Sequence, residues 1–165
     1  MQARMPIALL AAALLAAACG DDITNPAPVT RVVAIEPSGG ATGVDPNAPV
    51  VITFSHAMWA RMEQYAALHQ GGVTGPVVAG TWTWSQDRTQ LTFTPAAPLE
   101  AQTRYTLHIG GGMRDAMGNP INYEYCLSHG GQWATQQMMG NQNMMGSGWR
   151  NQNGTYGMLF TFTTA

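Results

Sequence analysis

Two groups of side chains in the last third of the chain carry donor atoms for soft metal ions. Cys126 and His129 are spaced as Cys-x-x-His, and two methionine pairs flank a short Gly/Asn/Gln spacer downstream. Thiolate and thioether sulfur are the ligands that select Cu(I). The pattern predicts a site for Cu(I) or Ag(I) whose ligands are Cys126, His129, Met138, Met139, Met144 and Met145.

These residues lie in a segment of unusual composition, residues 122–157. Gly, Gln, Asn and Met supply 21 of its 36 residues, and no apolar periodicity runs through it. Three other interpretations of the segment therefore remain. Its methionines could pack the loop onto the fold, the segment could be a disordered Gln/Asn-rich loop, or Trp133, Trp149 and Tyr156 could form a surface that binds a partner protein.

Composition and motifs exclude several function classes. Charged residues make up 10% of the chain, the net charge is -2, and all seven basic residues are Arg. A nucleic-acid-binding domain normally carries a clustered basic surface, which is missing from this sequence. The sequence also contains no His-Glu-x-x-His, no Gly-x-Ser-x-Gly and no phosphate-binding Gly-Lys motif. We therefore expect a non-enzymatic protein that does not bind nucleic acid.

The N-terminal residues are typical of a targeting segment. Arg4 precedes the apolar run 7–18, which is too short to span a bilayer and matches a signal-peptide core. Leu15-Ala16-Ala17-Ala18-Cys19 resembles the bacterial lipobox, although Ala16 stands where Leu is usual. The resemblance implies a signal peptide over 1–18, a lipid anchor on Cys19 and a tether over 19–28. The protein would then be held at the membrane through this lipid, and Gly20 directly after the Cys favours the outer membrane.

Lipidation of Cys19 would leave Cys126 as the only free thiol of the exported chain. No intrachain disulfide is then available in an oxidising compartment. Cys126 is expected to be buried and inert, paired with another molecule, or a metal ligand.

Alternating apolar residues predict a series of strands before and after this segment. Val50, Ile52 and Phe54 fall on one face of a strand, as do Tyr105, Leu107 and Ile109. Further strands are predicted over 30–35, 76–85, 90–94 and 158–164. Between the second and third strands, Met58, Met62, Tyr65 and His69 share a helical face, which predicts a short helix over 57–69.

The order of these elements resembles the bacterial Ig-like domain of the S-layer (SbsA-like) type. The matching pieces are Pro37-x-x-Gly40-Ala41-Thr42-Gly43-Val44, Ile52-Thr53-Phe54-Ser55-x-x-Met58, Gly80-Thr81-Trp82-Thr83-Trp84-Ser85, Leu91-Thr92-Phe93-Thr94-Pro95-x-x-Pro98-Leu99, Tyr105-Thr106-Leu107, Asp115-Ala116-x-Gly118-Asn119-Pro120 and Phe160-Thr161-Phe162-Thr163-Thr164.

The resemblance implies an all-β protein: an Ig-like antiparallel β-sandwich of about seven strands over residues 29–165. One short helix follows the second strand, and the long irregular insertion 122–157 interrupts the domain before the last strand. Such domains serve as structural or protein-interaction modules of the cell envelope, so the resemblance implies an envelope protein as partner and brings no catalytic residues. Cu(I) binding by the insertion is the alternative.

Overall fold

A computed structural model describes residues 29–140, 144, 146 and 148–165. The predicted signal peptide, Cys19 and the predicted tether lie outside these residues. Within the described part of the chain, no helix is both long and apolar enough to cross a membrane.

Eight strands form two four-stranded antiparallel sheets. The first sheet has the order β1-β2-β5-β4 and the second sheet has the order β3-β6-β8-β7. The strands are β1 (Val32–Glu36), β2 (Val50–Phe54), β3 (Ala66–Gln70), β4 (Gly80–Trp84), β5 (Gln90–Pro95), β6 (Arg104–Ile109), β7 (Gln132–Trp133) and β8 (Met158–Thr163). Two four-residue helices, α1 (Glu124–Leu127) and α2 (Gln136–Met139), lie before and after β7.

The predicted all-β sandwich is confirmed, and its main core lies between the two sheets. Each strand contributes alternate residues to this core because successive side chains of a strand point to opposite faces. The main core contains Val50, Ile52, Phe54, Leu68, Leu91, Phe93, Tyr105, Leu107, Ile109, Phe160 and Phe162, all buried. There are eight strands rather than seven because the insertion supplies β7, which pairs with β8.

The short helix predicted after the second strand is present, but it is much shorter than 57–69. Only Met62–Tyr65 is helical, as a 3₁₀ helix, and Ala66–Gln70 is strand β3, paired with β6. The error has a physical cause. The first four residues of β3 are all buried, so the strand does not show the alternation that marks a half-exposed strand.

The chain enters and leaves the sandwich at opposite ends. At the entry end, the Thr30 hydroxyl donates a hydrogen bond of 2.9 Å to the Asp115 carboxylate, which follows β6. At the far end, after β8, the backbone N–H of Ala165 donates to the carbonyl of Val44, 2.8 Å away. Strands β1 and β8 therefore both run from the entry end to the far end.

The outer face of the second sheet, which points away from the main core, is covered by the insertion. Five buried apolar residues form a separate cluster there, which we call the cap cluster. Its members are Val73, Ala134, Met139, Tyr156 and Leu159, and Met144 packs against it. The second sheet is therefore buried on both faces.

Three consecutive glycines after β6 form the surface on which the insertion lies. The N–H of Gly111 donates to the Trp149 carbonyl at 2.8 Å. A Cβ added at Gly112 would lie 1.7 Å from the carbonyl oxygen of Gly148, and one at Gly110 would lie 2.5 Å from the Trp149 ring. Only glycine, which has no Cβ, allows the two backbones to approach each other this closely.

Candidate functional site

Cys126 and His129, predicted as metal ligands, lie beside each other on and after α1 but in different surroundings. Cys126 is 2% exposed and packs in the main core. Burial raises the pKa of its thiol to about 12, so the sulfur is protonated at neutral pH. His129 is exposed, and its ring stacks on Tyr125 with the ring centroids 4.2 Å apart.

The methionines of the insertion lie at different depths. Met139 is fully buried in the cap cluster, Met144 is half-buried against it, and Met138 is 44% exposed. Met145 lies outside the described residues. The structure thus brings Met139 and Met144 together in the cap cluster, whereas Cys126 packs in the main core. The metal site named from the sequence stays a prediction.

A groove of about 590 Å³ runs between the edge strand β1 and the segment around α1. Cys126, His129 and Tyr125 line one side of it, and residues 32–36 of β1 line the other. Most of the groove's lining surface is apolar, and Phe160 and the β1 valines are among the residues that line it. Edge strands are where a β-sandwich offers unpaired backbone groups to other chains.

Two histidines on the outer face of the second sheet form the most unusual polar feature of the described residues. His69 lies on β3 and is 1% exposed, and His108 lies on β6 and is 0% exposed. Their neighbours in sequence, Leu68 and Leu107, belong to the main core, which places both histidines on the opposite face. Ala67 pairs with His108 and His69 pairs with Thr106, so the two histidines are diagonal neighbours.

Each buried histidine uses one ring nitrogen in a hydrogen bond to a backbone carbonyl. Nδ1 of His69 lies 3.0 Å from the Gly75 carbonyl, and Nε2 of His108 lies 2.6 Å from the Tyr156 carbonyl. A carbonyl only accepts, so these two nitrogens carry the protons. Nε2 of His69 and Nδ1 of His108 are then lone-pair nitrogens, and neither has a hydrogen-bond partner among the described residues.

Burial keeps both imidazoles neutral. Loss of solvation lowers the pKa of His69, partly offset by its hydrogen bond to Gly75. The same effect, opposed by the hydrogen bond to the Tyr156 carbonyl and reinforced by the nearby His69, lowers the pKa of His108 to about 4. The Trp149 ring covers His108, with the ring centroids 4.6 Å apart.

Sequence reasoning missed this pair of histidines. His108 lies between Leu107 and Ile109 and therefore on the opposite face of β6, but nothing in β6 itself marks that face as buried. His69 was assigned to a helical face together with Met62 and Tyr65. The sequence offered one signal that this sheet face is buried. The insertion contains apolar side chains, and these must pack against some face of the fold.

Comparison with known proteins identifies the family but no close relative. A family model described as bacterial Ig-like domain matches residues 25–129, well over half of the chain. Among curated proteins, none matches this sequence.

Solved structures similar to the chain are distant. Domains 1–6 of the surface layer protein SbsC share 16% identity at a TM-score of 0.43, and the match covers 58% of this chain and 13% of that one. PcoC, a methionine-rich copper resistance protein from Escherichia coli, shares 14% identity at a TM-score of 0.46, covering 83% of this chain and 99% of that one. An L,D-transpeptidase from Mycobacterium smegmatis shares 22% identity at 0.40, covering 57% and 39%.

All three TM-scores lie below 0.5, so these neighbours carry no argument about function. The family model, by contrast, spans the first six strands and α1 with the connections between them. The order and antiparallel pairing of these strands agree with the sandwich expected for that family. The chain therefore belongs to the bacterial Ig-like domain family.

Proposed function

We propose that this chain is a lipid-anchored, non-enzymatic module of the bacterial cell envelope with a structural or protein-interaction role. The observation that carries the proposal is the family membership, because Ig-like sandwiches at cell surfaces commonly hold other parts of an assembly in place. The finer assignments, to the S-layer SbsA type and to the outer membrane, are part of the same proposal.

The path of the chain through the sandwich supports a spacer role. Thr30 is hydrogen-bonded to Asp115 at the entry end, whereas Ala165 is hydrogen-bonded to Val44 and Gln102 at the far end. An anchor on Cys19 would attach the entry end to the membrane and direct the far end away from it. A groove beside β1 then remains accessible to a protein partner of the envelope.

Soft-metal binding by the insertion is the second candidate function. It was predicted from Cys126, His129 and the methionine pairs, and it is supported by Met139 in the cap cluster and by Met144 packed against that cluster. A thiol must lose its proton to bind a metal ion, whereas the buried Cys126 thiol is protonated. The ligands of such a site are therefore expected to be residues other than Cys126.

Replacement of Cys19 tests the anchor. In cells fed a fatty-acid analogue that can be detected on proteins, we expect the wild-type chain to carry the label and to fractionate with membranes. Cys19→Ala should carry none, because the acylated atom is missing. Cys126→Ala is the matched control. It should stay labelled, because it keeps Cys19 and removes only a buried thiol. Label on Cys19→Ala, or a mature N-terminus elsewhere than residue 19, would refute the anchor.

A further inference from the structure

The two buried histidines and the methionines of the cap cluster have the chemistry of a metal site. We propose that His69 Nε2 and His108 Nδ1, with a thioether from Met139 or Met144, bind one Cu(I) ion between the second sheet and the insertion. The proposal depends neither on the lipid anchor nor on Cys126 and His129.

The first argument is the state of the two imidazoles. A buried polar atom without a partner costs free energy, commonly 1–3 kcal/mol, and such atoms are rare in folded proteins. Here two of them belong to diagonal neighbours on paired strands. Both are lone-pair nitrogens, so they cannot satisfy each other by a hydrogen bond, whereas one electrophilic ion could satisfy both.

The second argument is the pair of backbone carbonyls behind the rings. Metal-binding histidines usually donate their other N–H to a carboxylate or a carbonyl, which sets the tautomer and the ring orientation. The Gly75 carbonyl does this for His69 and the Tyr156 carbonyl does it for His108. Both rings are therefore already neutral and oriented, as a metal ligand needs to be.

The donor atoms around the two histidines determine which metal ion the site prefers. Among the described residues, no three His, Cys, Asp or Glu side chains converge, so the usual ligand sets for Zn²⁺ or Ca²⁺ are not present. Imidazole and thioether are uncharged donors, and a buried charge without a counter-ion becomes more costly as its magnitude rises. A soft monovalent ion fits this donor set better than a divalent one.

The depth of the methionines offers a route from the surface to the histidines. Met138 on α2 is exposed, Met144 is half-buried, and Met139 is fully buried. The cap cluster also includes Val73, in the loop after His69, and Leu159, which pairs with His108 across β6 and β8. Met139 and Met144 therefore belong to, or pack against, the cluster that covers the sheet face carrying both histidines.

A competition titration tests the site. The full chain carrying Cys19→Ser, kept in detergent without oxygen, is titrated with Cu(I) against a chromophoric chelator. We expect one ion bound with a dissociation constant below micromolar. His69→Phe and His108→Phe should each weaken binding at least tenfold, and Met139→Leu, a nearly volume-conserving change, should weaken it less.

The exposed histidines provide the matched control. The double variant His56→Ala/His129→Ala should bind Cu(I) as the parent does, because both rings lie on the surface. X-ray absorption at the copper edge of the parent should show nitrogen and sulfur neighbours, a measurement that does not require the variants to fold. No binding tighter than micromolar, loss of binding in Cys126→Ala or in the control, or a copper spectrum without nitrogen neighbours would overturn the proposal.

Discussion

The second sheet is buried on both faces, but the two faces are built differently. Its inner face presents Leu68, Leu107 and Phe160 to the main core, where they pack with other buried apolar and aromatic residues. Its outer face presents His69, His108 and Leu159 to the insertion. The inner face is what the Ig-like fold requires, whereas the outer face combines burial with two unpaired polar atoms, which is typical of a functional surface rather than of a stabilising one.

A matched pair of leucine truncations measures the difference between the two faces. Leu107→Ala on the inner face should lower the free energy of unfolding by about 2–5 kcal/mol, because it leaves a cavity in a packed core. Leu159→Ala on the outer face should cost less, since the insertion can move to fill the space. Urea unfolding of both variants gives the comparison. Equal losses would show that the insertion is packed as rigidly as the main core.

The buried histidines should make stability depend on pH. Their pKa values are lowered in the folded protein, that of His108 to about 4, whereas an unfolded histidine titrates near 6.5. Below pH 6.5 the unfolded chain binds protons that the folded chain does not. Stability is therefore complete above pH 6.5 and is lost as the pH falls towards 4, by about 3 kcal/mol for His108 alone.

Urea unfolding between pH 7.5 and 4.5 measures this loss. That range lies above the pKa of the aspartates, whose contribution disappears only at lower pH. The loss should persist in His56→Ala/His129→Ala, where only exposed rings are removed. It should be absent from His69→Phe/His108→Phe, and its persistence there would assign it to other groups.

The glycines under the insertion allow the outer face to be disturbed alone. Gly112→Ala places a methyl group 1.7 Å from the Gly148 carbonyl oxygen, so the backbone must shift, at a cost of about 1–3 kcal/mol. Hydrogen exchange should speed up at Ala134 and Tyr156 and stay unchanged in the β2–β5 pair. Gly146→Ala is the control, since its Cβ would meet nothing within 4 Å. Unchanged exchange in Gly112→Ala would contradict the close approach.

The sequence predicted the inner face well and the outer face poorly, for one physical reason. Alternation in residues such as Val50, Ile52 and Phe54 reports one buried face against one solvated face, which is why most strands were located. In β3 both faces are buried, so the alternation is lost and a helix was predicted instead. Burial of His69 and His108 depends on where the insertion, which comes much later in the chain, folds back, and local patterns do not contain that information.

The insertion was predicted from its composition as an irregular segment over 122–157, whereas it contains α1, β7 and α2. Its contacts were not predictable, because Gly, Gln and Asn carry little pattern. Cys126 shows the difference. Its spacing to His129 predicted a ligand pair, but the structure buries its sulfur in the main core and leaves the histidine on the surface. His69 and His108, which do share one sheet face, come from strands more than 30 residues apart in sequence.

The glycine triplet after β6 limits how an insertion of this kind could be transplanted. Because Gly110, Gly111 and Gly112 contact the backbone and the Trp149 ring of the insertion, a recipient domain would need three residues without side chains at the same place. A run of glycines behind this strand, followed by a long segment before the last strand, is therefore a practical signature for finding other Ig-like domains that cover their second sheet in this way.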